Sequence, residues 1–390
     1  MPPYPESITC WAAEVNKHFH HLSRPEAWVL ALWSYGVQGL QCCGQSQVSA
    51  FLADLLQHKV DAVRQQLREW TWPKQAKAGD QRQEVAVSTC FADLLAWVVS
   101  GLAPDTRRLA LALDATSLKD TVVVLTLSVL YCGCAIPIAW HVLPANRSGA
   151  WKPHWLALVA HFRGCLPADW QVLVLADRGL YSAPLFRAIC ALGWHPFMRI
   201  NTGGKCRPEG ASDFRPLTSL LPAPGQTWQG RVVCFKHVRL AATLLITCDE
   251  AHAHPWLILT DLAPEQACVA WYSLRAWIEG GFKDIKRGGW HWERTRMTDP
   301  ERISRFWLVL AVSLLCSISL GSHQEAEQPV PDLSHLPPTH TARVRATGRS
   351  QPRRLSLAIQ GRIAFLVTLI QQTALALTGF ALPNSWPAQP

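Results

Sequence analysis

The sequence lacks the cysteine spacings that indicate a zinc module or a redox pair. Its thirteen cysteines are an odd set without a CxxC pair, and no Cys/His spacing resembles that of a zinc ligand set. We therefore expect reduced thiols in a cytoplasmic protein, where cysteine serves as a small apolar side chain.

Acidic residues are fewer than basic ones. The chain has 28 Asp and Glu against 37 Lys and Arg, which gives a formal net charge of +9. That sign favours a polyanionic partner, either nucleic acid or an anionic membrane surface, although an excess of this size does not decide between them. With 390 residues, 49% of them hydrophobic, the chain can bury a large core and form two or three domains.

Signals for a membrane are weak. The first residues contain no apolar core of a secretory signal. The apolar run at 121–142 is long enough to span a bilayer, but it is rich in β-branched residues and interrupted by Gly133 and Pro137, which favours a buried hairpin of two strands. A second run at 307–321 is short for a span. We therefore expect no membrane partner and keep a membrane protein as the less favoured alternative.

Residues 1–100 are predicted to form a helical N-terminal region that binds DNA. Within them, residues 25–70 contain three short helical segments around a turn at Gly44, and the last segment is basic. Helices of this kind suit a helix-turn-helix-like DNA reader, and a plain helical cap domain is an equally good interpretation. The basic residues of the last segment are Lys59, Arg64 and Arg68.

Residues 105–200 contain strands separated by helices, in the order β-β-β-α-β-α-β. This order predicts an α/β fold, with a mixed sheet flanked by helices. Residues 201–260 contain alternating polar and apolar segments with turn residues, so we expect a β-rich insertion there. The core resumes at 261–320, where Asp299 is predicted to cap a helix that runs to about Leu320. The predicted strands lie at 107–114, 121–142, 171–177 and 195–200.

Residues 321–390 are predicted to form a basic linker and a C-terminal helix. The linker is rich in Pro, Thr and Arg, and no acid lies between Arg343 and Arg362. Such a basic arm would contact DNA phosphates without reading sequence, whereas the alternative is a merely solvated linker. The arginines of the arm are Arg343, Arg345, Arg349, Arg353 and Arg354.

Two aspartates stand at the ends of apolar strands. Asp114 ends the segment RLALALD and Asp177 ends QVLVLAD, and ligands commonly bind at the carboxyl ends of parallel strands. Taken singly, each aspartate is more often a turn former or a helix cap. Together with Glu279, they would provide three hard oxygen ligands that suit two Mg²⁺ or Mn²⁺ ions in phosphoryl transfer. The candidate catalytic and metal-binding residues are therefore Asp114, Asp177 and Glu279.

A cationic stripe is predicted to accompany Glu279. If residues 271–286, WYSLRAWIEGGFKDIK, form one α-helix, five side chains share a stripe roughly 80° wide that faces away from the core. The ordinary interpretation is a solvated face with an (i, i+4) pair of Arg275 and Glu279. The functional interpretation is a surface on which DNA phosphates run past Glu279. Gly280 and Gly281 would either let DNA approach closely or loosen the helix. The five side chains are Tyr272, Arg275, Glu279, Lys283 and Lys286.

The spacing of four of these residues is specific. Tyr272, Arg275, Glu279 and Lys286 resemble the YREK signature of bacterial insertion-sequence transposases with a DDE active site. The segments LALDATSLKD and VLADRGLYSAPLF resemble the regions around that family's first and second catalytic aspartates. The resemblance runs from about residue 105 to about residue 320. It implies an RNase H-like catalytic core.

The resemblance also implies the reaction and the partners. Members of the family cut the ends of an insertion sequence with divalent metal ions, pass through a DNA hairpin and transfer the strand into target DNA. The implied partners are double-stranded DNA, both terminal inverted repeats and target, and a second copy of the chain in a homodimer, within the bacterial cytoplasm. In relatives a tryptophan of the insertion stacks on a flipped base, and Trp256 in PWLILTD occupies the matching position. The candidate DNA-binding residues are Tyr272, Arg275, Lys283, Lys286 and Trp256.

Two other functions fit the same residues. One is a metal-dependent nuclease on the same fold that cuts DNA without joining it, and the other is a catalytically decayed copy that only binds DNA. The nearby acids Asp120 and Asp284 are expected to be structural.

Overall fold

The structure is a computed structural model of the chain, and it describes residues 4–79, 83–145, 151–248, 254–327 and 355–387. The predicted basic arm, from Arg343 to Arg354, lies outside the described residues. The helices are α1 (Glu6–His18), α2 (Arg24–Leu40), α3 (Gln45–Leu56), α4 (Val60–Trp70), α5 (Cys90–Ser100), α6 (Lys152–Ala160), α7 (Ala183–Cys190), α8 (Trp277–Ile285), α9 (Pro300–Ala326) and α10 (Leu357–Gln371). The strands are β1 (Arg108–Leu118), β2 (Val122–Tyr131), β3 (Cys134–Pro144), β4 (Gln171–Ala176), β5 (His195–Arg199), β6 (Lys205–Pro208), β7 (Arg215–Pro216), β8 (Thr227–Cys234), β9 (Leu240–Thr247) and β10 (Trp256–Thr260).

The strands belong to one mixed sheet with the order β3-β2-β1-β4-β5-β10-β9-β8-β6-β7. Strands β1, β4 and β5 pair in parallel. Strands β2 and β3 pair antiparallel, as do β10 with β5, β9 with both β10 and β8, and β6 with both β8 and β7. Helices pack on β3 and on β5. The predicted α/β fold, a mixed sheet flanked by helices, is confirmed.

The chain divides into two compact units. The first contains residues 1–106, 115–148 and 276–385, and the second contains residues 107–114, 149–275 and 386–390. The N-terminal and C-terminal helices thus share a unit, and the β-rich residues 201–260 belong to the other. These limits cut across the domain boundaries that the sequence pattern predicts.

The local elements of the first unit follow the sequence pattern. The three helices predicted between residues 25 and 70 are α2, α3 and α4, and Gly44 is the N-cap residue of α3. The apolar run at 121–142 forms the hairpin of β2 and β3. Pro137 pairs with Ser128 where the register shifts, which is a position that tolerates a residue without an N–H. The hairpin prediction is therefore confirmed.

Helix α9 forms the centre of the first unit, where it packs against α2, α10 and β3. The Asp299 carboxylate accepts a hydrogen bond from the backbone N–H of Arg302 at 2.8 Å, so the predicted N-cap is confirmed. The helix continues to Ala326, beyond the predicted end near Leu320. It is long and apolar enough to cross a membrane, but 94% of its most apolar window is buried within the described fold, which is the environment of a core helix.

Helix α10 completes the core of the same unit. Gly361 brings its backbone against α9, because a Cβ at this position would lie 1.7 Å from the carbonyl oxygen of Ser317. The ring of Phe365 packs edge-on against Trp11 and Tyr35, with centroids 5.5 and 5.2 Å away. The C-terminal helix therefore packs on the N-terminal helices as well as on α9.

The second unit is built on the parallel strands. β1 and β4 are buried along most of their length, as expected for parallel strands covered on both faces. The ring of Trp386, close to the end of the described chain, packs at 5.4 Å from Trp271. The guanidinium of Arg108 lies over both rings. The parallel pairing of β1 with β4 ends at Leu113 and Ala176, but β1 continues to Leu118, so the predicted strand end at Asp114 is wrong.

Candidate functional site

Asp114 and Asp177 lie side by side in the second unit. Strands β1 and β4 pair in parallel up to Leu113 and Ala176, and the two aspartates are the next residues along each chain segment. Adjacent strands are about 4.8 Å apart, so the two carboxylates are neighbours at one edge of the sheet. Their side chains are 21% and 39% exposed, so both can be reached from solvent. The structure thus brings together two of the three predicted acids.

The guanidinium of Arg275 lies beside both carboxylates. Its Nη2 is 2.7 Å from Oδ2 of Asp114 and 3.9 Å from Oδ2 of Asp177. A charge-assisted hydrogen bond of this length is stronger than one between neutral groups. Because two close carboxylates repel each other, the cation of Arg275 offsets part of that repulsion. Arg275 was predicted to face a DNA phosphate, and its partners in this structure are aspartates.

Asp177 is also held through its second oxygen. Its Oδ1 accepts a hydrogen bond from the backbone N–H of Arg178 at 2.7 Å. The side chain of Arg178 itself is exposed. One carboxylate oxygen of Asp177 is therefore fixed by the backbone, and the other is directed towards Arg275.

Tyr272 and Trp256 form an aromatic pair next to these aspartates. The phenol of Tyr272 donates a hydrogen bond to the carbonyl oxygen of Ala176 at 3.3 Å, one residue before Asp177. Its ring contacts Trp256 edge-on, with centroids 5.1 Å apart. Tyr272 is only 4% exposed, and this burial raises the pKa of its hydroxyl well above the usual range. The tyrosine therefore connects the end of β4 to the start of β10.

The segment predicted as one long helix consists of two. Residues Val269–Ala276 form a 3₁₀-helix, and the α-helix α8 begins only at Trp277. A 3₁₀-helix has about three residues per turn, so a wheel drawn for one α-helix does not hold across the junction. The prediction of a single exposed stripe is therefore wrong, because Tyr272 and Arg275 have partners within their own unit. Periodicity along the segment cannot indicate such partners.

Helix α8, in the first unit, carries Glu279 and Lys283 on its surface. Glu279 lies in the first turn of the helix, where the helix dipole stabilises a carboxylate, and Lys283 follows one turn later. Both residues are exposed. Gly281 was expected either to let DNA approach closely or to loosen the helix, but its role is different. A Cβ there would lie 2.8 Å from the carbonyl oxygen of Ala135 in β3. This glycine lets α8 pack directly on the sheet.

Lys286 follows the end of α8 and is bound to the polypeptide. Its Nζ donates a hydrogen bond to the carbonyl oxygen of Ser117 at 2.8 Å and lies 5.8 Å from the ring centre of Trp292. Partial burial lowers the pKa of this amine. Lys286 therefore ties the end of α8 to the last residues of β1, within the first unit.

The two aspartates fit the ligand preference of a magnesium or manganese ion. Such ions are bound through one or two carboxylates, with water and phosphate oxygens completing the shell. Across the ranges that the structure describes, no three His, Cys, Asp or Glu side chains form a group that could hold a metal. The participation of Glu279, which belongs to the other unit, stays a prediction.

The structure also shows a basic surface that the sequence interpretation missed. Residues 205–239 contain six Lys or Arg and two acids, Glu209 and Asp213. All six cations are exposed, and none of them forms an ion pair with another described residue. Counting charge over the predicted insertion alone would have found this surface. The cations of the insertion surface are Lys205, Arg207, Arg215, Arg231, Lys236 and Arg239.

Two of these cations share one face of the sheet. In β8, Thr227, Gln229 and Arg231 are exposed while Val232 and Cys234 are buried, so the odd-numbered residues face solvent. Arg207 of β6 pairs with Val233 of β8, which places Arg207 on the same face as Arg231. Glu209 is the nearest acid in this register, as its N–H bonds to the carbonyl of Arg231.

This chain was compared with protein families, curated proteins and solved structures, and one family model matches part of it. Residues 142–316, somewhat less than half of the chain, match a family model described as a transposase DDE domain. A cryo-EM structure of the piggyBac transposase synaptic complex with hairpin DNA is similar at 12% identity and a TM-score of 0.33, over 88% of this chain and 84% of that one. No curated protein matches the sequence. The matched domain contains Asp177 and Glu279.

Proposed function

We propose that this protein is a DNA transposase of the DDE type, which cuts and joins DNA at the ends of an insertion sequence. The observation that carries the proposal is the pair of aspartates that directly follow the last paired residues of the parallel strands β1 and β4, both approached by one arginine. A carboxylate pair in this position is suited to divalent metal ions, which can in turn bind phosphate oxygens. The match of residues 142–316 to a transposase DDE domain gives the reaction class.

Acidic residues would bind the metal ions, and two other residues position the segments that carry these acids. Asp114, Asp177 and Glu279 would hold Mg²⁺ or Mn²⁺, two ions per site. When bound, such ions activate the attacking hydroxyl and stabilise the leaving oxygen of an in-line phosphoryl transfer. Tyr272 positions the strand end that carries Asp177 through its hydrogen bond to the preceding carbonyl. Lys286 holds the end of α8, the helix that presents Glu279.

The DNA contacts follow from the exposed cations and from one aromatic side chain. Lys283 and the cations of the insertion surface are exposed and can pair with backbone phosphates, which provides affinity without reading sequence. Trp256 is partly exposed at the start of β10 and can stack on an unpaired base, which contributes roughly 1 to 3 kcal/mol. Such stacking would support a hairpin intermediate at the element's end.

The finer parts of the proposal come from the YREK resemblance. They are a hairpin intermediate, recognition of terminal inverted repeats, a homodimer that bridges two DNA ends, and action in a bacterial cytoplasm. The net charge of +9 supports a polyanionic partner.

The proposal is tested with the full chain and a duplex that carries the inverted repeats flanking its gene. With Mg²⁺, the wild type should cut the duplex and insert the new 3′ end into a target plasmid. The variant Glu279→Ala should lose about 10³-fold in cutting rate, because a lost metal ligand removes several kcal/mol of charge stabilisation, and should still retain DNA. Glu265→Ala, an exposed acid in the second unit, is the matched control and should cut normally.

Each result has a defined meaning. Cutting without insertion into the plasmid would identify a nuclease on this fold. DNA retention without cutting by the wild type would identify a decayed copy. Undiminished cutting by Glu279→Ala would overturn the assignment of the acids.

A further inference from the structure

We propose that Arg275 occupies the cation position between Asp114 and Asp177 and must leave it before a divalent metal ion binds, so that metal binding and DNA binding are coupled through this one side chain. The inference rests on the proposed function, because it concerns the same two aspartates. It assigns Arg275 a role in the DNA-free protein that differs from a permanent phosphate contact.

Arg275 Nη2 approaches Oδ2 of both aspartates, at 2.7 and 3.9 Å. The remaining oxygen of Asp177 accepts a backbone N–H and therefore already has a partner. A metal ion that bridges the two carboxylates needs an oxygen from each. The oxygens on this side are the ones that the guanidinium contacts, so guanidinium and metal ion compete for the same atoms.

With Arg275 in place, a divalent ion meets one positive charge next to a pair of negative ones. After Arg275 has moved away, it meets two negative charges without that opposition. The observed metal affinity is therefore the affinity of the molecules in which the arginine has moved, multiplied by the fraction of molecules in that state. The Arg275 side chain is 16% exposed, so this charge is screened less than that of a surface arginine.

A guanidinium binds a phosphate as readily as a carboxylate, through paired N–H donors. A DNA phosphate near the site would therefore hold Arg275 away from the aspartates. DNA would then raise the affinity for metal, and metal would raise the affinity for DNA by the same factor.

The experiment measures Mn²⁺ binding by the full chain, using the electron paramagnetic resonance signal of free Mn²⁺. Three proteins are titrated with and without a short DNA duplex: wild type, Arg275→Gln and Arg178→Gln. Arg275→Gln should bind Mn²⁺ about tenfold more tightly than wild type without DNA, because a competing charged hydrogen bond is removed. Added DNA should tighten Mn²⁺ binding by the wild type and have little effect on Arg275→Gln.

Arg178→Gln separates competition from general electrostatics. Arg178 follows Asp177 directly and its side chain is exposed, so the variant loses one positive charge from the same region without losing a competitor. It should keep the wild-type response to DNA. Thermal unfolding of each variant shows whether it is folded.

The outcomes are distinct. Equal Mn²⁺ affinity of wild type and Arg275→Gln, or weaker binding by Arg275→Gln while it is folded, would show a purely structural ion pair and overturn the inference. The same gain in Arg178→Gln would also overturn it, because proximity of charge would suffice. Absence of Mn²⁺ binding in all three proteins would instead contradict the metal-dependent function itself.

Discussion

Replacement of Asp284 by asparagine should stabilise the protein, and the gain should grow as pH rises. Asp284 lies on α8 and is only 3% exposed, with Oδ1 accepting a hydrogen bond from the hydroxyl of Ser356 at 3.2 Å. Burial raises the pKa of its carboxyl from 3.8 to about 7, although Ser356, Arg362 and Lys283 all act to lower it. The native protein thus favours the neutral acid, which an asparagine side chain resembles.

The direction follows from proton binding. The unfolded chain releases the proton of this aspartate near pH 3.8, whereas the folded chain holds it up to about pH 7. The stabilising contribution of the neutral acid is complete below the lower pKa and is lost as pH rises through the upper one. Above that pH the loss is about 4 kcal/mol, and near pH 5 it is about 2 kcal/mol, at 1.36 kcal/mol per pKa unit. Asp284→Asn should avoid both losses.

The assay is urea unfolding of wild type and Asp284→Asn near pH 5 and near pH 8, with the free energy of unfolding extrapolated to water. The variant should be more stable at both, by about 3 kcal/mol more at the higher pH. The exposed Asp120→Asn serves as control and should change stability by less than about 0.5 kcal/mol. A constant difference between wild type and Asp284→Asn across this range would refute the reasoning.

Two further predictions concern the helix contact and the insertion surface. Gly361→Ala should destabilise the first unit by about 3 kcal/mol or more in thermal or urea unfolding, because its Cβ would overlap α9, whereas Gly203→Ala, with open space around it, should not. Removal of two phosphate contacts should lower the slope of log affinity against log salt by about 1.8 and weaken DNA binding roughly tenfold or more near physiological salt, measured by fluorescence anisotropy. If a double variant on the insertion surface and a control double variant had equal slopes, the insertion surface would not belong to the DNA interface. The two double variants compared are Arg207→Gln/Arg231→Gln and the exposed control Arg163→Gln/Arg187→Gln.

Local elements were predictable because their signals are local. The helices α2 to α4, the β2–β3 hairpin and the cap at Asp299 each depend on side chains within a few residues of one another. The neighbouring positions of Asp114 and Asp177 also follow from the sequence, because each aspartate comes directly after an apolar run that pairs in parallel with the other, although β1 continues to Leu118.

The partners of individual side chains were not predictable in this way. Arg275 could have faced solvent or a phosphate by helical spacing, and its choice of Asp114 depends on a residue far away in the chain. Tyr272 likewise binds a carbonyl of β4 rather than solvent. Gly281 is explained by the closeness of β3, and no pattern within α8 indicates that closeness. Such choices are made by tertiary packing, which periodicity does not contain.

The last described residues have a consequence for how the protein is made. Phe365 packs between the N-terminal helices, and Trp386 packs on Trp271 in the other unit. Neither core can therefore close until these residues have emerged from the ribosome. A polypeptide truncated before these residues would expose apolar surface in both units. Quality-control proteases would therefore degrade it.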